Sequence, residues 1–244
     1  MSQLHATKRR FIKEAGLIAL LAPAVVSRPA FAEETKGIVE KLKEKVTGKG
    51  EEKEVTPPED LMREHGVLDR VLLVYEAGIR KLASKEDFDP ALLTQSATIV
   101  RDFIHDYHEQ SEEHYVFPRF QQANQLTELV GTLLDQHRAA RRVTERVLQL
   151  APNSRTDADA QRQATAQITA FITMYRPHAA REDTDLFPQL GKLVSTHEYD
   201  AMAEDFENEE HKKFGEDGFE KMAARVAQIE QSMGIHDLKQ FTPT

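Results

Sequence analysis

The sequence predicts an all-α protein: an up-down-up-down four-helix bundle followed by a C-terminal helical extension. Three observations lead to this fold class. Apolar residues recur every three to four positions from residue 57 onward, as on one face of a helix. No stretch of useful length alternates with the two-residue period of a strand. The breaks between the predicted helices are short, which favours antiparallel neighbours in a bundle.

The first 32 residues have the pattern of an export signal. Basic residues between Lys8 and Lys13 precede the apolar run 15–26, and residues 30–32 (Ala-Phe-Ala) have the small-x-small form of a cleavage site. The run is too short for a membrane span. Residues 7–13 resemble a twin-arginine signal, with Lys8 at the place of the first arginine. We expect a mature protein that does not span the membrane, exported to the periplasm or beyond by the twin-arginine or the general secretory route.

Residues 33–56 are rich in Glu, Lys and Gly and predict a solvated linker. The bundle is expected to occupy residues 57–190. Its first helix begins at Pro57 and Pro58, because proline suits the first turn of a helix, and it ends before a turn at residues 87–90.

The other three bundle helices are bounded by prolines. We predict that the second helix ends at Pro118, that the third stops near Pro152 and that the fourth ends at Pro188. Proline has no backbone N–H with which to continue a helix, which is the reason for these boundaries.

The extension, residues 191–244, predicts two more helices. The first begins at Thr196, a break falls between Gly215 and Gly218, and Gly234 ends the second helix. We expect the extension to pack on the outside or at the end of the bundle, and the closing residues 241–243 to dock on it.

One motif occurs twice, in the second and in the fourth predicted helix. In each copy a histidine is followed four residues later by a glutamate, and then by Phe-Pro: His108, Glu112 and Phe117-Pro118, then His178, Glu182 and Phe187-Pro188. A His and a Glu four residues apart lie on one helix face and present a nitrogen and a carboxylate to the same point. This is the spacing of metal ligands.

Two further histidines complete the pattern. His65 on the first helix and His137 on the third fall on the apolar stripe of their helices, as do His108 and His178. A polar group there is costly unless something satisfies it. One inward histidine from each of four helices therefore predicts a metal site, and the spacings of about 70 residues suggest two similar hairpins around it.

The composition restricts the chemistry of this site. The chain has no cysteine, so thiolate sites and iron–sulfur clusters are excluded, and its formal net charge of -9 argues against nucleic acid as a partner. Imidazole and carboxylate ligands suit iron, manganese or zinc. Two carboxylates inside a bundle favour a dinuclear iron or manganese site.

These residues resemble the hemerythrin-like HHE cation-binding domains. That family has a histidine on helix one, His-x-x-x-Glu on helix two, a histidine on helix three and a His with a carboxylate on helix four, with Phe-Pro after the second and fourth. The resemblance covers about residues 59–190. It implies a four-helix bundle that holds two iron ions. It also implies the ligands, with Glu112 and Glu182 as bridging carboxylates and with terminal histidines at His65, His108, His137 and His178.

One position departs from the oxygen-carrying hemerythrins, which place a second histidine one turn after the first on helix three. Here that position is Arg141, so the fifth histidine is missing. His105, Glu109 and Asp183 are candidates to complete the metal shell. Arg141 is a candidate partner for a carboxylate.

Three functional hypotheses follow. The leading one is an exported, non-enzymatic, non-heme di-iron protein that binds dioxygen or a related small ligand for sensing, storage or scavenging. The second is a di-iron oxidoreductase acting on peroxide, nitric oxide or ferrous iron, in which the missing histidine leaves an iron position open. The third is a metal-stabilised interaction protein that binds a protein partner through its C-terminal helices.

Overall fold

The computed structural model describes residues 55–243, which are predominantly helical and contain no β-strand. The predicted signal peptide, and the predicted linker except for its last two residues, lie outside the described residues. We number six helices in chain order: α1 (Pro57–Ser84), α2 (residues 91–122), α3 (Thr127–Leu150), α4 (residues 158–190), α5 (Thr196–Phe214) and α6 (Gly218–Met233).

Several predicted helix boundaries are confirmed. The side chain of Thr56 accepts a hydrogen bond from the backbone N–H of Glu59 at 3.4 Å and caps the start of α1 at Pro57. At the start of α5, Ser195 and Glu198 form a reciprocal capping box. Gly234 ends α6 with a positive φ of 73°, a conformation that glycine adopts without steric cost.

The predicted ends of α2 and α4 are wrong, because both helices continue through their prolines. Pro118 follows the π-helical segment Glu112–Val116, and Pro188 follows the π-helical segment Glu182–Leu186. In a π turn each N–H bonds to the carbonyl five residues back, as Phe117 does to Glu112. The wider turn accommodates the proline, and α2 runs on to residue 122 and α4 to residue 190.

The first four helices pack around a common interior. α1 contacts α2 and α4, α3 contacts α2 and α4, and α6 lies against α1 and α2. Each of the four bundle helices contributes to both of two apolar clusters. The first cluster includes Leu72, Phe103 and Phe171, and the second includes Phe117, Leu133 and Phe187. The predicted ligand residues lie between the two clusters along each helix.

The two C-terminal helices also bury apolar residues, with α6 joining the first cluster and α5 the second. The closing residues do not dock as predicted. Leu238 is 79% exposed and Phe241 is 46% exposed, so the short 3-10 turn Leu238–Phe241 buries none of its side chains. None of the helices in residues 55–243 combines the length and the apolarity that a membrane span requires.

Candidate metal centre

Six buried side chains meet in the layer between the two apolar clusters. The Nε2 atoms of His65 and His178 lie 3.3 and 3.2 Å from one carboxylate oxygen of Glu182. The Nε2 atoms of His137 and His108 lie 3.4 and 3.6 Å from one carboxylate oxygen of Glu112. The structure therefore brings together all six residues that the motifs single out.

The six residues form two overlapping groups whose ligand atoms lie within 4.8 Å of one another. We call the first group position A; its members are His65, His108, Glu112 and Glu182. We call the second group position B; its members are His137, His178 and Glu182. Glu182 belongs to both groups.

Each histidine also forms a hydrogen bond through its other ring nitrogen, Nδ1, on the side away from the centre. The four acceptors, which we call the outer partners, lie 2.8 to 2.9 Å away: Asp183 for His65, Glu64 for His108, Glu113 for His137 and Gln136 for His178. An acceptor at Nδ1 fixes the ring orientation and directs the Nε2 lone pair to the centre.

Sequence reasoning named Asp183 as a ligand candidate and missed the other three outer partners. The sequence did contain a signal for these residues. Each outer partner is adjacent in the chain to one of the six central residues, and it bonds to a histidine on a different helix. Glu64 precedes His65, and Gln136 precedes His137. Adjacent residues on a helix point about 100° apart, so one faces the centre and the next faces the neighbouring helix.

The atoms that face the centre lack hydrogen bonds within the described residues. They are Nε2 of His65, Nε2 of His108 and all four carboxylate oxygens of Glu112 and Glu182. A buried polar group without a partner costs about 1–3 kcal/mol. In position B, Nε2 of His137 lies 3.2 Å from Nε2 of His178, although both rings already donate from Nδ1. Two facing lone pairs would repel each other, so the contact requires either a proton or a metal ion between them.

The surroundings of the buried histidines shift their pKa values in opposite directions. Burial by itself would lower the pKa of His65, but the neighbouring carboxylates of Asp183 and Glu182 outweigh it and raise the pKa to about 10. His137 behaves in the same way, and its pKa is also raised to about 10. At His108, burial prevails and lowers the pKa to about 4. Without a metal, the centre is therefore held together partly by protons.

The two central carboxylates also differ. Burial, together with the charge of Glu182, raises the pKa of Glu112 to about 7. Burial would raise the pKa of Glu182 as well, but the imidazoles of His178 and His65 outweigh it and hold that pKa well below its usual range. Two carboxylates this close do not both ionise unless positive charge lies between them.

The π-helical segments position this centre. Glu112 and Glu182 are the first residues of the two segments, at equivalent places in the two copies of the motif. Five residues later the phenylalanine ring of each copy stacks on a ligand histidine: Phe117 on His137, with centroids 5.5 Å apart, and Phe187 on His65 at 5.8 Å. A further π-helical segment, Val100–His108, ends at one of the histidines of position A, and π turns are frequent at functional sites. The apolar periodicity did not predict these segments.

The model of the Hemerythrin HHE cation binding domain matches residues 56–190 of this chain. The chain belongs to this family. Two proteins of Mycobacterium tuberculosis and one of Mycobacterium bovis are 49% identical to it over 191 residues, which cover 78% of this chain and 75% of theirs. They carry the names Uncharacterized protein Rv1995, MT2051 and Mb2018. No solved structure matches the chain.

The residues of this HHE domain fit the metal ions, usually iron, that the family binds. The donor set consists of four imidazole nitrogens and two carboxylates, which suits iron, manganese or zinc. The inward-facing atoms without hydrogen bonds are the ones that would coordinate. The protein is therefore a cation-binding protein with buried His and Glu groups that can hold metal.

Two further ligand candidates lie beside the centre of the HHE domain. Both ring nitrogens of His105 are engaged, Nδ1 with Glu109 and Nε2 with the hydroxyl of Thr144, each at 2.8 Å. His105 therefore does not face either position. Glu109 forms a separate group with Glu113 and His137, next to position B.

Arg141, at the place of the missing histidine, pairs with carboxylates. Its guanidinium lies 2.7 Å from both Glu109 and Glu113. Glu109 is completely buried and also accepts hydrogen bonds from His105 and from the hydroxyl of Tyr175. Burial by itself would raise the pKa of Glu109, but these partners, with His105 first, lower it to about 2. Glu109 thus remains an anion, with one oxygen bonded to His105 and Tyr175 and the other facing Arg141.

Proposed function

We propose that this HHE protein is an exported, non-heme di-iron protein that binds dioxygen or a related small ligand for sensing, storage or scavenging. One observation carries the proposal: nitrogens and carboxylate oxygens from four helices converge in a buried layer, and six of these atoms have no hydrogen bond within the described residues. Such an arrangement is costly unless cations fill it.

The two positions divide the ligands between two ions. His65 and His108 would hold one ion, and His137 and His178 the other. Glu182, shared by both groups, would bridge the ions, whereas Glu112 would hold the ion of position A. A ferrous pair supplies the electrons with which dioxygen, peroxide or nitric oxide is bound or reduced. Manganese can occupy the same donors, whereas zinc can do so without redox chemistry.

The surroundings of the centre favour a small ligand. The four histidines are each at most 3% exposed and the two glutamates are fully buried. Phe117 and Phe187 cover two of the imidazoles. These apolar walls exclude bulk water, so a ligand of two or three atoms suits the centre better than a larger substrate.

The proposed topology is the alternating course of an up-down-up-down bundle. Its support is the order in which the helices meet the two apolar clusters. α1 meets the second cluster at Leu61 before the first at Leu68, and α2 meets the first at Ile104 before the second at Val116. α3 repeats the order of α1, and α4 repeats that of α2.

A specific observation favours a second candidate, the di-iron oxidoreductase. Arg141 pairs with Glu109 and Glu113, which leaves position B with three ligand side chains. An ion with few protein ligands retains open positions at which peroxide, nitric oxide or ferrous iron can react.

One experiment separates the two functions. The reduced, iron-loaded protein is mixed with limiting and then with excess peroxide, or with dioxygen in the presence of excess chemical reductant, and consumption is followed per di-iron centre. A binding protein consumes about one equivalent per centre and stops. Sustained turnover that Glu112→Ala abolishes would replace the proposed function with the enzymatic one.

A further inference from the structure

We propose that positions A and B bind metal with different affinities, that A fills before B, and that the outer partners of the histidines set this order. The inference rests on the proposed function, because it takes both positions to be metal sites. It goes further by assigning a role to residues outside the ligand set, namely Asp183, Glu64, Glu113 and Gln136.

The first observation is the number of ligands. Position A gathers four side chains whose ligand atoms lie within 4.8 Å of one another, two imidazoles and two carboxylates. Position B gathers three, with one carboxylate. A divalent cation gains more from two anionic ligands than from one, since each contributes a full charge in a site shielded from water.

The second observation is the charge of the outer partners in position A. His65 donates from Nδ1 to Asp183, and His108 donates to Glu64, both at 2.8 Å. A carboxylate behind an imidazole makes the opposite nitrogen a stronger electron donor. Both histidines of position A are strengthened in this way.

The histidines of position B are not strengthened in this way. The outer partner of His178 is the amide oxygen of Gln136, which carries no net charge. The outer partner of His137 is Glu113, and the same oxygen of Glu113 also accepts from Arg141 at 2.7 Å. The guanidinium withdraws part of the negative charge that His137 would otherwise receive. Both histidines of position B are therefore weaker donors than those of position A.

The test is an anaerobic calorimetric titration of the full-length, metal-stripped protein with ferrous iron. We expect two steps, the first at least ten times tighter than the second. Two steps alone are not decisive, because the first ion repels the second. The decisive result is that different outer partners control different steps.

Two substitutions change the charge of an outer partner while nearly keeping the shape of its side chain. Gln136→Glu places a carboxylate behind His178, and we expect it to tighten the second step about tenfold, with a smaller effect on the first. Asp183→Asn removes the carboxylate behind His65 and is expected to weaken the first step by a similar factor. Gln121→Glu, which adds the same charge at an exposed position on α2, is the matched control and leaves both steps unchanged.

The location of the two steps is checked with ligand variants. His178→Asn is expected to remove the weak step and retain the tight one, and His65→Asn to remove the tight step. The inference is overturned if Gln136→Glu tightens the first step, if it acts no more strongly than Gln121→Glu, or if His178→Asn removes the tight step. Two bound irons with unselective variants would refute this inference alone. An absence of iron binding would refute the proposed function as well.

Discussion

At the scale of single residues, each ligand histidine is engaged on two sides. Its Nδ1 atom donates to an outer partner and its Nε2 atom faces the centre, as His65 shows with Asp183 behind it and Glu182 in front. The meeting of the six side chains was predictable from the amino-acid sequence, because the i, i+4 spacing and the apolar phase restrict where a histidine can point. The outer partners were not predicted, because their roles depend on which neighbouring helix a side chain meets.

Replacing Glu182 tests the residue that both positions share. Glu182→Gln keeps the size of the side chain but removes the charge that faces His65 and His178. We expect the iron content to fall to half or less, measured by elemental analysis after gel filtration. Glu128→Gln, at an exposed glutamate of α3, is the control and retains the parental content. Equal iron in the two variants would contradict the role of Glu182.

Arg141→Ala tests a structural role for the residue at the place of the missing histidine. The substitution leaves Glu109, which is fully buried, without its guanidinium partner. We expect the free energy of unfolding to fall by about 2 kcal/mol, less than for a fully buried pair because Arg141 is partly exposed.

Denaturant unfolding of the metal-free proteins measures this loss. Arg138→Ala, which breaks an exposed pair with Asp135, is the comparison and should cost well under 1 kcal/mol. The structural role of Arg141 is wrong if its substitution costs no more than that of Arg138.

At the scale of helices, the predicted helix ends are correct where a single capping residue determines them. The start of α5 after Ser195 and the end of α6 at Gly234 follow from the preferences of single residues. It failed at Pro118 and Pro188, because a preceding π turn makes proline compatible with a continuing helix. The π turns begin at Glu112 and Glu182, and a hydrophobic period of 3.6 residues does not distinguish them from an α-helix.

We expect the attachment of α6 to α1 to depend on pH. Arg70 on α1 donates two hydrogen bonds to Glu230 on α6, at 3.0 and 2.7 Å. Partial burial would raise the pKa of Glu230, but Arg70 and His236 outweigh it and lower that pKa below its ordinary value of 4.5. A carboxyl group with a lowered folded-state pKa stabilises the fold above its unfolded pKa, and this stability is lost as the pH falls through the folded pKa.

Glu230→Gln therefore has a pH-dependent effect. We expect the variant to be less stable than the parent by about 1 kcal/mol near pH 7, and the difference to shrink as the pH falls below 4.5. Thermal unfolding over a series of pH values measures it. Glu220→Gln, on the same helix, breaks only a longer and more exposed contact with Arg63 and should change little. If the stability difference between the parent and Glu230→Gln grew as the pH fell, the direction assigned to the pKa shift of Glu230 would be wrong.

At the scale of the whole molecule, the centre joins the four helices of the bundle. Each helix supplies a histidine, and α2 and α4 also supply the carboxylates. Because six of the inward atoms lack hydrogen bonds within the described residues, the metal-free bundle contains buried polar atoms that ions would satisfy. Metal binding should therefore be coupled to stability.

Removing the metal is expected to lower the melting temperature by at least about 5 °C. An ion present at 100 times its dissociation constant stabilises the fold by about 2.7 kcal/mol, and each kcal/mol shifts the midpoint of a domain of this size by about 2–4 °C. Calorimetry of loaded and chelated protein measures the shift. Glu182→Gln should show a much smaller shift. A parent whose melting temperature does not respond to chelation would contradict the coupling.

The most direct test of the di-iron proposal is the metal content of the purified protein, together with its optical spectrum before and after anaerobic reduction and readmission of air. We predict about two irons per chain, with near-ultraviolet bands that bleach on reduction and return in air. Zinc, or no metal after expression in iron-rich medium, would contradict the proposal.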